Sequence, residues 1–349
     1  MTFLQLSEAN IIGTVIAFIS GLFLVPLVIG FSEKQGLMDK PNERKIHSHP
    51  VPRLGGIAIW VCTILSFFAL IILSYYPHRS LVSGLLLGSS LIFLLGLIDD
   101  IYNLSAKFKF VIQISIATIV FLLGVKITSV FVPFIGLVEI PKILSYFITI
   151  GWIVGISNAV NFIDGVDGLA GSVITISSVT LGLISLAISD VVIALVAFIL
   201  AGSMLGFLTY NFHPAKIFMG DSGALFAGFL LATLSVMYSM KQSDATMYVP
   251  LIILAVPILD ITFSSLRRIL KGISPFVADA EHIHHKLLNL GLSQNKAVLV
   301  LVAFSISMGA LATYIAASDT TKYFLYAVIM SIVMIILNRH AKIGEGKED

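Results

Sequence analysis

In the stretch NFIDGVDGLAGS, two aspartates, Asp164 and Asp167, stand three residues apart, each followed by glycine, with almost purely apolar sequence on either side. Carboxylates in such surroundings are costly unless they are paired or hold a cation. Four other polar clusters share this character. LGLIDDIYNL carries Asp99 and Asp100, and YNFHPAKIFMGDSGA carries Asn211, His213, Lys216, Phe218 and Asp221. DAEHIHHKL carries His282, His284 and His285, and RKIHSHPVPRLGG carries Arg44, Lys45, His47, His49 and Arg53. Asn158 and Asn161 stand just before the first aspartate pair. Hard divalent cations such as Mg2+ take one or two carboxylates together with substrate phosphate oxygens. Basic side chains suit those oxygens. An aromatic ring near an asparagine suits a nucleobase, where stacking is worth about 1–3 kcal/mol. The set suggests Mg2+-dependent chemistry on a nucleotide diphosphate.

Each cluster also has a plain structural reading. Asp-Gly is a common turn dipeptide, so DGVDG can be a turn and nothing more. Asp221 precedes a helix and can be its N-cap. Asp99 and Asp100 can be a solvated helix end, although adjacent carboxylates gain nothing from the negative end of a helix dipole. Phe218 can face lipid or core. His-Ile-His-His can be a solvated loop or a metal site, but zinc sites usually show HExxH or Cys/His pairings. The basic run before Gly55 is the ordinary mark of a cytoplasmic loop.

The elements that must position these residues are membrane helices. The chain is 58% hydrophobic and 11% charged, with a mean hydropathy of +1.02, whereas soluble domains carry about 25% charged residues. No polar linker divides the 349 residues, so one membrane domain is expected. A net charge of +2 argues against a nucleic-acid partner, and a single cysteine, Cys62, excludes an intramolecular disulfide framework. The N-terminus lacks the basic start of a signal peptide, so the first apolar run is expected to be retained. A span needs roughly 20 apolar residues. Eleven candidates are found, at approximately 9–30, 55–75, 80–98, 108–126, 145–163, 168–188, 191–211, 222–240, 246–266, 296–317 and 322–338. Residues 127–144, broken by prolines, read as a loop or short hairpin. The fold class is therefore an all-α polytopic membrane protein.

Most of the 21 basic residues fall in the connections after odd-numbered spans and in the C-terminal tail. By the positive-inside rule the N-terminus lies outside and the C-terminus is cytoplasmic. On that map all five polar clusters lie at the cytoplasmic face of the cell membrane, and the outer loops hold nothing comparable. Five separate structural readings do not explain that convergence.

The residues that carry these clusters also carry a resemblance. DKPNERKIHSHPVPRLGG, LIDDIYNLSAKFK, NAVNFIDGVDGLAG, FMGDSGALFAG and EHIHHKLLNLG occur in this order and span essentially the whole chain. Together they resemble the polyprenyl-phosphate N-acetylhexosamine-1-phosphate transferases, which initiate O-antigen and teichoic acid linkage units and are related to the MraY-type peptidoglycan enzymes. The resemblance implies attack of polyprenyl phosphate on the β-phosphorus of a UDP-N-acetylhexosamine, with release of UMP. It implies Mg2+, or Mn2+ in its place, with Asp221 as ligand and Asp99 and Asp100 as an essential acidic pair that is catalytic and helps to hold the metal. It implies that Phe218 and Asn211 hold the uracil, that Asn158 and Asn161 bind substrate, and that Asp164 and Asp167 are catalytic, with Asn161 and Asp167 at nucleotide- and phosphate-contacting positions. Lys45, His49 and Arg53 would bind substrate, and His282, His284 and His285 would handle the sugar-phosphate end. The expected partners are the UDP-sugar, the polyprenyl phosphate lipid and the bilayer, with a homodimer as an open assembly.

A phosphate monoester is already mostly dianionic at pH 7, because its second pKa is near 6. A general base therefore gains little, and direct attack is favoured over an aspartyl-phosphate intermediate. The His-Ile-His-His form resembles the GlcNAc-1-phosphate branch, although Ala280 stands where relatives often carry a basic residue, leaving room for another UDP-sugar. A secondary transporter would place its ionisable groups near the bilayer midplane. An intramembrane aspartyl protease would want GxGD, and a CDP-alcohol phosphotransferase DGxxAR; neither is present.

Overall fold

The computed structural model describes residues 3–39, 49–73, 80–132, 135–270, 272 and 282–318. It is a bundle of helices with two small two-stranded sheets. The long helices are α1 (Phe3–Gln35), α2 (Gly55–Ile72), α3 (Ser80–Tyr102), α4 (Ala106–Leu122), α5 (Lys142–Ile163), α6 (Leu169–Ala187), α7 (Val191–Asn211) and α8 (Gly220–Ser239). A 3-10 turn (Ala245–Tyr248) leads into α9 (Val249–Ile253) and α10 (Ala255–Leu270), followed by α11 (Ile283–Asn289) and α12 (Gln294–Ala317). Within the stretch 127–144, β3 (Ser129–Val132) pairs antiparallel with β4 (Gly136–Glu139). A second pairing, β1 (Met38–Asp39) with β2 (Val51–Pro52), ties the end of α1 to the entry of α2.

Eleven spans are expected from the sequence; among the described residues eight helices are long and apolar enough to cross a membrane, or nine with a bent pair counted as one. The differences have physical causes. Helix α4 stops after 17 residues, about 26 Å at 1.5 Å per residue, short of a bilayer core of about 30 Å. The ninth candidate is broken between Ile253 and Ala255 with a bend of 76°. Pro257 has no N–H to offer the Ile253 carbonyl four residues back. That carbonyl instead accepts the Ser177 hydroxyl at 3.1 Å, so the break leaves no orphan there. The eleventh candidate, 322–338, lies outside the described residues.

Helix α8 is buried on all sides and packs chiefly on α3 and α5. Lipid tails are as apolar as leucine, so helix association relies on close approach and interhelical hydrogen bonds. Both are present. Trp60 Nε1 donates to Ser90 Oγ at 3.0 Å, Trp152 Nε1 to Ser235 Oγ at 2.7 Å, and the Thr63 and Ser203 hydroxyls meet at 3.0 Å. Close approach is tightest where α2 and α3 cross the first turn of α8. A Cβ on Gly96 would sit 2.5 Å from Ser222 Cα and 2.6 Å from the Asp221 carbonyl oxygen, and a Cβ on Gly56 would strike Gly223 N.

This generates a paired prediction. Gly96→Ala must push α8 off α3 and is expected to destabilise by about 1–3 kcal/mol. Gly151→Ala, where a Cβ meets nothing within 4 Å, is expected to be neutral or to stabilise by up to about 1 kcal/mol. Thermal unfolding of the two purified variants in one detergent reads the contrast.

Candidate active site

Helices α3, α5 and α7 end, and α2, α6, α8 and α12 begin, at the same end of the bundle, around a cavity of about 590 Å³. Its wall draws on every polar cluster read from the sequence: His49 and Arg53, Asp100, Asn161, Asp164 and Asp167, Asn211, Phe218 and Asp221, and His285.

The carboxylates are held by different means. Asp100, buried at the end of α3, caps α8 from outside the helix. Its Oδ1 accepts the Asp221 N–H at 2.9 Å, and its Oδ2 accepts the Ser222 N–H at 3.0 Å and the Ser222 hydroxyl at 2.6 Å. The first N–H groups of a helix lack internal partners and carry the positive end of its dipole, so they suit a carboxylate. Gly220 makes the approach possible: its φ is +69°, and a Cβ there would lie 2.7 Å from Asp100 Oδ2. Asp99 and Asp221 share a cation. Lys109 Nζ, from the first turn of α4, lies 2.8 Å from Asp99 Oδ2 and 2.7 Å from Asp221 Oδ2. Asp99 Oδ1 also accepts the Leu104 N–H at 2.7 Å.

Asp167 and Asn211 fasten the loop after α5 to the loop after α7. Asp167 Oδ2 accepts from His213 Nδ1 at 2.8 Å and from the Ala215 N–H at 3.2 Å. Asn211 Oδ1 accepts the Gly168 N–H at 3.0 Å, while its Nδ2 donates to the Ile217 carbonyl at 2.8 Å. The same second loop pairs with the chain before α2, with Phe218 N–H donating to the Pro52 carbonyl at 2.7 Å and Gly55 N–H to the Phe218 carbonyl at 3.0 Å. This places Phe218 on the cavity wall.

Asp164 differs from its neighbours. It lines the cavity half-buried, and no group among the described residues donates a hydrogen bond to it. Burial, followed by the charges of Asp221, Asp100 and Asp167, pushes its carboxyl well above the usual carboxylate range. No cation among the described residues offsets these charges at Asp164. Among the described residues no three His, Cys, Asp or Glu side chains converge at metal-ligand spacing. That fits a cation taking one or two protein carboxylates and filling its other positions from phosphate and water, rather than an all-protein cage. Arg53 adds an anion-seeking atom to the same wall, since its buried Nε has no partner among the described residues.

The histidines are drawn together but play unequal parts. His285 lines the cavity. His284 is buried beside Gly165, and burial, then His285, holds its imidazole down to about 4. His282 is nearly buried and turned toward Asp260 of α10, at 2.7 Å. Asn158 lies off the cavity wall, where its Nδ2 donates to Gln113 Oε1 at 2.6 Å between α5 and α4. Lys45, with Arg44 and His47, falls outside the described residues. Sequence reasoning counted Lys109 only as a basic residue and passed over Asp260 entirely. A lone carboxylate in an apolar span is the signal that marks Asp260, whereas Lys109 shows its role only once α3 and α4 are folded together.

With this geometry in view, comparison with known proteins is informative. Residues 82–239, the stretch from α3 through α8, match the family model described as Glycosyl transferase family 4. A Bacillus subtilis protein described as "Probable undecaprenyl-phosphate N-acetylglucosaminyl 1-phosphate transferase" is 36% identical over 328 residues, covering 93% of this chain and 90% of the relative. A decaprenyl-phosphate N-acetylglucosaminephosphotransferase of Mycobacterium leprae is 33% identical, over 85% of this chain and 81% of its own. The undecaprenyl-phosphate alpha-N-acetylglucosaminyl 1-phosphate transferase of Escherichia coli K12 is 30% identical, over 81% and 78%. Multi-pass helices, a carboxylate-rich cavity at one end of the bundle and near full-length similarity agree: this chain belongs to glycosyl transferase family 4, among the polyprenyl-phosphate N-acetylhexosamine-1-phosphate transferases.

Proposed function

We propose that the protein transfers N-acetylglucosamine-1-phosphate from UDP-GlcNAc to a polyprenyl phosphate at the cytoplasmic face of the cell membrane, releasing UMP and opening the synthesis of a cell-envelope glycan. The observation that carries this reading is Asp164, a cavity-lining carboxylate with no donor among the described residues, next to Asp221, Asp100 and Asp167. An excess of negative charge facing a cavity calls for a divalent cation and a phosphorylated ligand. The relatives' names supply the substrate class.

In this reading Asp164 and Asp221 hold Mg2+. When bound, the ion supplies charge neutralisation for the diphosphate. Lys109 keeps the Asp221 carboxylate turned and within reach by sharing it with Asp99. Asp100 acts through the backbone, fixing the α8 turn from which Asp221 projects. Arg53 and His285 face the diphosphate, and Phe218 stacks on the uracil. A lipid phosphate oxygen attacks the β-phosphorus in line; a P–O bond forms, the α–β anhydride bond breaks, and UMP leaves. No protein base is needed, since the lipid phosphate already carries its charge at pH 7. The work left to the protein is placement and electrostatics.

Incubating the purified protein with polyprenyl phosphate, Mg2+ and a panel of UDP-sugars should release UMP fastest from UDP-GlcNAc. Asp221→Asn should abolish that release in a folded protein; turnover like wild type would refute its role as a metal ligand. Phe218→Ala should raise KM for the UDP-sugar about five- to hundredfold, the equivalent of about 1–3 kcal/mol of stacking. Its kcat should change little, because stacking acts on ground and transition states alike, and an unchanged KM would remove the uracil platform. Asp164→Asn relieves like-charge repulsion at a half-buried site. It should raise the thermal midpoint in chelator by a few degrees while abolishing turnover, and a lowered midpoint would show that Asp164 stabilises the fold instead.

A further inference from the structure

Asp260 is unassigned in the reading above, yet both of its carboxylate oxygens are engaged. It stands within α10, 2% exposed, where an ionised group needs a partner. Its Oδ2 lies 2.7 Å from His282 Nδ1 and its Oδ1 accepts the Ile283 N–H at 2.7 Å. Ser264, one turn further along α10, reaches the same Nδ1 at 3.4 Å. One carboxylate thus grips the side chain of one residue and the backbone of the next. That fixes both where α11 begins and how its leading imidazole is turned. From His282 a run of rings leads to the cavity: His284 is stacked on it at 5.7 Å, and His285 follows at 4.4 Å on the cavity wall. A carboxylate at Nδ1 is an acceptor, so it keeps the ring proton on Nδ1 and leaves Nε2 as the lone-pair nitrogen of the neutral imidazole.

We propose that Asp260 is a positioning residue for the transfer: acting through His282, it orients the α11 histidines and so places His285 against the substrate. The assignment rests on the functional reading given above and deepens it. A carboxylate that merely stabilised α10 would act independently of His282; one that works through the imidazole cannot.

The test is a double-mutant cycle on the full chain in detergent, reading UMP release from UDP-GlcNAc. Asp260→Asn is isosteric and still accepts the Ile283 N–H, but it turns an N–H toward Nδ1 and demands the opposite tautomer. Asp260→Asn and His282→Ala should each lower kcat/KM about ten- to hundredfold, the usual loss when the partner orienting a functional histidine is removed. The double variant should fall no more than about twofold below the worse single one. Spectra of 15N-histidine-labelled Asp260→Asn should show one ring switched from Nδ1–H to Nε2–H. Turnover like wild type in Asp260→Asn, or losses that multiply in the double variant, would overturn the proposal. If Asp260→Asn does not stay monodisperse, Asp260→Ala, which also removes the acceptor, goes through the same double-mutant cycle, read by kcat/KM alone. Absence of UMP release by the wild-type protein from every UDP-sugar would sink the functional reading instead, which keeps the two failures apart.

Discussion

Negative charge gathered at the end of an apolar bundle is the constraint on which this structure turns. Asp99, Asp100, Asp164, Asp167 and Asp221 come from three different connections, and like charges brought together out of bulk water repel strongly. The fold answers with a separate device for nearly every carboxylate. Asp100 takes the backbone N–H groups at the start of α8, Asp99 and Asp221 share Lys109, and Asp167 takes His213 and the Ala215 N–H. Asp164 alone among these five has no donor in the described residues.

These devices depend on how closely helices approach. Asp100 can reach the backbone of α8 because Gly96 and Gly56 let α3 and α2 come within contact of Ser222 and Gly223, and because Gly220 presents no Cβ to the carboxylate. Packing and electrostatics are one problem here. A methyl group at the crossing would separate helices and at the same time withdraw the cap that fixes the turn carrying Asp221. The membrane makes this coupling stricter, since water is not present along the spans to satisfy a group that loses its partner.

Much of this was legible in the residues. Apolar runs of span length announced the helices, and the basic loops suggested that the clusters share one face. The proline-broken stretch at 127–144 read as a loop or short hairpin, and a hairpin is what forms there. The parts that were not legible depend on contacts between distant segments. Asp100 read as one half of an acidic pair, but its role is set by the α8 backbone, 121 residues away, and composition carries no trace of that. Asn158 read with Asn161 because both lie on one stretch, yet Gln113 of the neighbouring helix claims it. The ninth span looked continuous because hydropathy is blind to the missing N–H of Pro257 and to the Ser177 hydroxyl that replaces it.

Asp167 and Asn211 staple the loops after α5 and α7 to one another at three points, two through Asp167 and one through Asn211. Loops joined so often shift as a single plate, and prising them apart would break all three bonds at once. Across the cavity from that plate stands α11, tied to α10 through Asp260, which holds both the His282 ring and the Ile283 N–H. A change in α11 therefore reaches the cavity wall through His285 and leaves the plate untouched.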